Sequence, residues 1–423
     1  MNRLSLVRCW NRVSQFPLTQ SSRIVSASVC LLLARFGAGI ATSQVTPQSH
    51  FVGSRSCRKC HVATYDGWSQ TRMANVVRDP KVHPEAVLGD FKSPDHNRSF
   101  DLDQVALVYG SRWKQRYFAK RGRDYYPLPA QWDIKNHKWL PYHVPDGADW
   151  WVPYFPKDNS GRPTGPTCDG CHSVNYNLET RQVTEWNVGC EKCHGPGSQH
   201  VAHPTAKNIV NPDWLDHVRG NDVCMQCHSQ GRPLDLPVHG EYVDWPVGFL
   251  PGQRLSDVWK LEESRLGSQD FFYWQDGTAH KNRMQGNDFT QSVMYHRGLR
   301  CFDCHQVHGN QNPSNLIATG NALCLRCHTK DNPSGLRGTV SQHTHHARTS
   351  TGSECTACHM PKIEQTISDS FVSSHTFRFI SPKLTEQFGI PNPCRSCHTD
   401  KSNDWALQQL QGWATVSPWR VAQ

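Results

Sequence analysis

The pattern of apolar and polar positions predicts one small sheet and few long helices. Apolar and polar residues alternate over residues 105–118, and the turn-forming run Arg121-Gly122-Arg123-Asp124 follows. A two-residue period bounded by turn residues is typical of strands, so we expect a small antiparallel sheet here. Helical spacing occurs over residues 65–77 and 403–412. Elsewhere the pattern predicts short α-helices and long irregular loops.

The first 45 residues have the pattern of a secretory leader. Arginines precede an apolar stretch at residues 24–40, which ends in small residues around Gly39 and Ala41. We expect a signal peptide over residues 1–45, cleaved between Ala41 and Gln48, and export to the periplasm or the outer cell face. An uncleaved membrane anchor is the alternative, although the run is short for a spanning helix. No later segment approaches the length and apolarity of a membrane span, so we expect none in the mature chain.

Cysteine carries the strongest chemical signal. Of 18 cysteines, sixteen lie in eight C-x-x-C-H motifs, the signature of covalent haem c attachment. The attachment cysteines are Cys57, Cys60, Cys168, Cys171, Cys190, Cys193, Cys224, Cys227, Cys301, Cys304, Cys324, Cys327, Cys355, Cys358, Cys394 and Cys397. The histidines that follow them, predicted to be the proximal iron ligands, are His61, His172, His194, His228, His305, His328, His359 and His398. Zinc knuckles and redox dithiols also use C-x-x-C, but neither requires histidine after every second cysteine.

The composition fits a core built partly from cofactor. Only 37% of the residues are hydrophobic, and the chain has 30 glycines and 27 prolines, a poor basis for an ordinary core. We therefore predict a multihaem cytochrome c fold, with short α-helices and long irregular loops wrapped around eight haems. The small antiparallel β element lies between the first and second haem sites.

The net charge of the chain bears on which partners it can bind. The net charge of +9 falls to about +4 without the leader and to roughly −4 with eight ferric haems. A nucleic-acid partner is therefore not expected.

We predict a leader over residues 1–45, a first haem site with an aromatic-rich β region over 46–160, and a seven-haem cytochrome domain over 161–423.

Several motifs resemble a family of periplasmic multihaem cytochromes c related to the tetrahaem cytochrome and octahaem hydroxylamine oxidoreductase of ammonia oxidisers. The resemblance runs from residue 51 to about residue 405. Its motifs are Phe51-Val52-Gly53-Ser54, the run at residues 188–198 around the third haem site, Met294-Tyr295-His296, Gly320-Asn321, Cys358-His359-Met360-Pro361 and Pro391-Asn392-Pro393-Cys394.

The resemblance implies distal iron ligands. The family's recurring histidines fall on His200, His296, His308, the cluster of His343, His345 and His346, and His375. At position 73, where relatives commonly have histidine, this chain has Met73. We predict that Met73 is the sixth ligand of one haem; the alternative is that its thioether packs against a haem face.

Two functions remain open. The first is electron transfer with redox proteins or membrane-bound donors. The second is oxidation or reduction of a small nitrogen or sulfur compound at one haem with an open position. Catalytic relatives that reduce nitrite often replace a proximal histidine by lysine, whereas all eight motifs here end in histidine. This favours electron transfer, and no catalytic residue is assigned.

Overall fold

The computed structural model describes residues 49–142, 160–268, 271–281, 283–310, 312–329, 331–332, 335–336, 338–365 and 370–413. They belong to one compact unit that begins at Ser49. The predicted leader, residues 1–45, lies outside the described residues, as do residues 143–159 of the predicted first region. In the described part of the chain, every helix is too short or too polar to cross a membrane.

Short helices dominate, as the sequence predicts. The described residues contain thirteen α-helices of at most nine residues each: α1 Ser54–Arg58, α2 Val62–Ser69, α3 Gly170–His172, α4 Cys190–His194, α5 Ser198–Ala202, α6 His217–Met225, α7 Gln285–Thr290, α8 Val293–His296, α9 Asn321–Leu325, α10 Val340–Thr344, α11 Cys355–His359, α12 Pro382–Phe388 and α13 Asn403–Gln411. The helix predicted over 403–412 is confirmed by α13, which begins where the Ser402 hydroxyl accepts a hydrogen bond from the backbone N–H of Trp405.

Strands are fewer, and all are paired antiparallel. Over the same described ranges they are β1 Val77–Arg78, β2 Leu107–Tyr109, β3 Lys114–Arg121, β4 Asp124–Asp133, β5 Lys138–Pro141, β6 Ser173–Val174, β7 Glu185–Trp186, β8 Gly231–Pro233, β9 Trp259–Leu261, β10 Lys362–Gln365 and β11 Phe371–Ser373. Strands β1 to β5 form one sheet in sequence order, and the other six form three two-stranded ribbons.

The five-stranded sheet confirms the predicted β element between the first and second motifs. Its central hairpin pairs Arg121 with Asp124, and Gly122 takes a φ of +63°, which the tight turn requires. On one face lie buried apolar and aromatic side chains, among them Tyr117, Trp132 and Trp139. The aromatic residues therefore pack a sheet core.

The helix predicted over residues 65–77 is wrong in length. Helix α2 ends at Ser69, and a one-turn 3₁₀ helix, Met73–Asn75, follows. The Asn75 side-chain amide donates to the carbonyl oxygens of Ser69 and Thr71, both at 2.7 Å. Such side-chain bonds to backbone compete with the helical ladder and end the helix early.

Buried apolar residues outside the sheet form small, separate clusters. One joins Cys171, Tyr176 and Trp245 between the second and fourth motifs. Another joins Ile363, Ile380 and Ile390 beside the eighth. These clusters lie between attachment motifs and help to position them.

Candidate haem-binding centres

Each of the eight C-x-x-C-H motifs folds into a short hydrogen-bonded helical turn. In the first motif, the backbone N–H of His61 donates to the carbonyl oxygen of Cys57 at 3.0 Å. The same bond recurs from His398 to Cys394 at 2.9 Å. A helical turn brings both cysteines to one side and places the histidine next to them, which is the arrangement that covalent haem attachment needs.

Four proximal histidines face a second histidine at a distance that fits an iron between them. A metal–nitrogen bond of about 2 Å, with about 1.1 Å from nitrogen to ring centre, puts two such imidazoles about 6.2 Å apart between ring centres. The ring centres of the four pairs are 6.4 Å apart for His61 and His200, 6.1 Å for His194 and His308, 6.3 Å for His359 and His343, and 6.2 Å for His398 and His346. The residues present therefore fit haem iron with two axial histidines at four motifs.

Hydrogen bonds donated by Nδ1–H orient several of these rings. His194 Nδ1 lies 2.7 Å from the Val210 carbonyl oxygen, and His200 Nδ1 lies 3.0 Å from that of Thr205. A carbonyl can only accept, so Nδ1 carries the proton and Nε2 is left as the metal-binding nitrogen. These carbonyl contacts fix the tautomer that iron ligation requires.

His375 lies half-buried between two motifs. Its pKa is lowered to about 4, chiefly by burial and also by the nearby imidazoles of His305 and His228. Its Nδ1 lies 2.9 Å from the Ser373 carbonyl oxygen. His375 is thus held neutral, the state of an iron ligand, close to the fourth and fifth proximal histidines.

His172 differs from the other proximal histidines just described. Burial lowers its pKa to about 4, and the cationic Arg283 adds to this effect. Its Nδ1 has no hydrogen-bond partner within the described residues. The ring of Tyr109 lies edge-on to it, with ring centres 5.6 Å apart. The second motif therefore has an apolar and electropositive surrounding.

The structure places the remaining predicted ligands as follows. His296 ends α8 and is exposed, with its ring centre 5.8 Å from that of Tyr295. His345 stacks on Trp413 with ring centres 4.4 Å apart, whereas its neighbours in the cluster each face a proximal histidine. Met73 is half-buried in its 3₁₀ turn, and its carbonyl oxygen accepts from the Val188 N–H at 3.0 Å. Its role as a ligand stays a prediction.

Two asparagines clamp neighbouring motifs together in the same way. Asn221, three residues before the fourth motif, accepts from the Cys301 N–H at 2.9 Å and donates to the Leu299 carbonyl oxygen at 3.1 Å. Asn321, three residues before the sixth motif, accepts from the Cys355 N–H at 2.8 Å and donates to the Ser353 carbonyl oxygen at 2.8 Å. Each clamp fixes the start of the next motif.

Ser54 joins the first motif to the third by a similar hydrogen bond. Ser54, three residues before Cys57, accepts from the Cys190 N–H at 2.8 Å. Its own hydroxyl donates to Glu185 at 2.5 Å. Sequence reasoning missed the role of these residues in joining motifs; the available signal was a polar side chain three positions before the first cysteine of motifs one, four and six.

The N-terminal residues of the described chain are tied to the third motif. The carboxylate of Glu191, a buried residue inside that motif, accepts from the backbone N–H groups of Val52, Gly53 and Gly197 at 2.7–3.0 Å. The hydroxyl of Ser49 donates to the Pro196 carbonyl oxygen at 2.9 Å. The first motif is therefore built on the third.

Electrostatic influences between cysteines connect all eight motifs into one array. Seven pairs of motifs are connected in this way, through Cys57 with Cys190, Cys193 with Cys224, Cys171 with Cys227, Cys224 with Cys301, Cys304 with Cys327, Cys324 with Cys355, and Cys358 with Cys394. The order is one, three, four, five, six, seven, eight, with motif two joined to motif four.

Comparisons with known proteins agree with this chemistry. The family model described as "Doubled CXXCH motif" matches residues 295–333, which contain the fifth and sixth motifs. The chain is 23% identical to the dissimilatory sulfite reductase MccA of Wolinella succinogenes, over 82% of this chain and 50% of that protein. It is also 23% identical to the multiheme cytochrome MtrA of Shewanella baltica, over 50% of this chain and 42% of that protein. The chain spans half or less of the length of these curated relatives.

Solved structures show the same fold. The outer cell wall cytochrome OcwA superposes with a TM-score of 0.65 at 19% identity, covering 86% of each chain. An undecaheme cytochrome from the S-layer of Carboxydothermus ferrireducens gives a TM-score of 0.50 at 16% identity, covering 86% of this chain and 60% of the other. With its eight attachment motifs, the chain is a multihaem c-type cytochrome.

Proposed function

We propose that this multihaem cytochrome binds eight c-type haems and passes electrons between redox proteins or membrane-bound donors outside the cytoplasm. Bound haem iron supplies reversible one-electron chemistry. The observation that carries the proposal is the array of attachment cysteines. Each of the eight described motifs is connected to at least one other by an electrostatic influence between cysteines, and the fourth is connected to three. A continuous series of neighbouring haem sites would let electrons pass through the protein.

The paired histidines support transfer over catalysis. An iron held on both sides by histidine keeps no position for a substrate. Four of the eight proximal histidines have a second histidine at the matching distance, as described above. The Nδ1 contacts of His194 and His200 keep these rings in the ligating tautomer.

A second candidate is catalysis on a small nitrogen or sulfur oxyanion, and His172 favours it. The cationic side chains of Arg283 and Lys192 help to lower the pKa of His172, which shows that positive charge lies near this histidine. Positive charge around an iron site would attract an anion. A relative whose name specifies sulfite reduction points the same way.

One set of measurements on the holoprotein separates the two. Electron paramagnetic resonance of the oxidised protein shows whether any iron is high-spin, and stopped-flow oxidation by a soluble ferric complex shows whether all haem is connected. We expect low-spin signals to dominate and the entire haem absorbance to reoxidise. A haem fraction that stays reduced would contradict conduction through one array. A high-spin haem, together with sulfite- or nitrite-dependent oxidation of a reduced viologen, would establish the second candidate instead.

A further inference from the structure

Glu364 is a carboxyl group buried without full hydrogen bonding. It lies on β10, and its side chain is fully buried. Its Oε1 accepts from the Gln285 side-chain amide at 2.6 Å and from the Met284 N–H at 3.3 Å. Its Oε2 has no hydrogen-bond partner in the described part of the chain. A buried oxygen left unpaired in this way is costly as part of an anion but can carry a proton.

Gln285 connects this carboxyl group to a predicted iron ligand. The Gln285 side-chain oxygen lies 3.3 Å from Nδ1 of His228, the proximal histidine of the fourth motif. The Gly286 N–H donates to the His228 carbonyl oxygen at 2.7 Å, which holds the start of α7 against the motif. With iron bound at Nε2, the Nδ1–H of His228 would donate to Gln285, and Gln285 donates in turn to Glu364.

We propose that Glu364 is a proton-accepting site coupled through Gln285 to the iron that His228 ligates. For one electron delivered to that iron by a donor protein, Glu364 takes one proton from the aqueous buffer, and an O–H bond forms at Oε2. When the electron leaves, the O–H bond breaks and the proton returns to the buffer. The coupling rests on the proposed haem binding but not on the direction or purpose of electron flow.

The charges around Glu364 set the pH range of this coupling. Burial raises its pKa well above the ordinary value, and the carboxylate of Asp288 on α7 raises it further. Val372, its partner on β11, bears no charge. Because both influences disfavour the carboxylate, uptake of the proton occurs at higher pH than for an exposed glutamate.

The coupling has a defined sign. An ionised Glu364 strengthens electron donation by the His228 imidazole through the hydrogen-bonded amide, so it stabilises the oxidised iron. An added electron therefore raises the proton affinity of Glu364, and one reduction potential falls as pH rises. For a one-electron couple, a tenfold change in proton activity corresponds to at most ~59 mV.

Spectroelectrochemical titration of the full holoprotein between pH 5 and pH 9 tests this. Glu364→Gln keeps the size of the side chain and removes the proton, so we expect one pH-dependent component of the native titration to become flat. Glu386→Gln, which alters an exposed glutamate on α12, is the matched control and should leave the pH dependence unchanged. If the Glu364→Gln and native curves share the same slope, the proposal is overturned.

A second readout does not need the variant to fold. Reduction-minus-oxidation infrared difference spectra of the native protein should show the carbonyl stretch of one buried carboxylic acid appearing on reduction. Its absence across the pH range would overturn the proposal. Turnover of sulfite or nitrite by the protein would contradict the proposed function. The pH-dependent titration and the infrared spectrum would still test the coupling of Glu364, so failure of the function and failure of the coupling are distinguishable.

Discussion

Replacing Asn221 by leucine tests whether the asparagine clamps hold neighbouring motifs together. Asn221 is fully buried and makes two hydrogen bonds to backbone groups across the boundary between the fourth and fifth motifs. Leucine has the same branching and number of heavy atoms but removes both bonds. Each bond contributes ~1 kcal/mol, and the groups at Cys301 and Leu299 that lose their partner add a desolvation penalty. We expect the free energy of unfolding to fall by about 2–4 kcal/mol.

Asn321→Leu is the matched control, because Asn321 makes the same two bonds at a half-buried position. We expect the free energy of unfolding to fall by about 1–2 kcal/mol there, because water can hydrogen-bond to the backbone groups that lose Asn321 as their partner. Guanidinium unfolding of both holoproteins, followed by tryptophan fluorescence and near-ultraviolet circular dichroism, measures the difference. An Asn221→Leu curve that overlays the native one, or a larger loss at Asn321, would refute the clamp.

Three further predictions concern the haems, pH and Met73. Intact mass of the processed holoprotein should exceed the polypeptide by eight haems, and a smaller excess would contradict covalent attachment at every motif. Burial raises the pKa of Asp288 to about 6 from an ordinary 3.8, so the folded state binds the extra proton between these values. The contribution of Asp288 to stability should therefore be full below about pH 4 and should be lost as pH rises through 6; Asp288→Asn should flatten this part of an unfolding-versus-pH profile. Met73→His should lower one potential in a redox titration and abolish a red-region sulfur-to-iron band, whereas an unchanged titration would mean that Met73 packs without ligating.

Local features were predictable from the sequence. The hairpin over Arg121–Asp124 and helix α13 follow from short-range turn and capping chemistry, and both are confirmed. The helix over residues 65–77 failed because bonds from Thr71 and Asn75 to the backbone end it at Ser69. Helical spacing alone does not reveal such competition.

The pairing of distant residues was harder to predict. His343, His345 and His346 are almost adjacent in sequence, yet the backbone of His345 has a φ of +55°, which turns its ring onto Trp413. Spacing cannot reveal that local turn. Likewise, Asn221 reaches a motif that is 80 residues further along the chain. Only the folded chain brings these groups together.

The anchoring of the first motif on the third sets an order of assembly. Ser54 and its partner Cys190 are separated by 136 residues. The chain is synthesised from its N-terminus, so residues 52–54 emerge long before Glu185 and Glu191, the residues that they contact. Thioether formation at Cys57 can therefore take place on an open chain, while the attachment machinery still has access. The hydrogen bonds between the first and third motifs can form only after the third motif has emerged, so this contact is made late in folding.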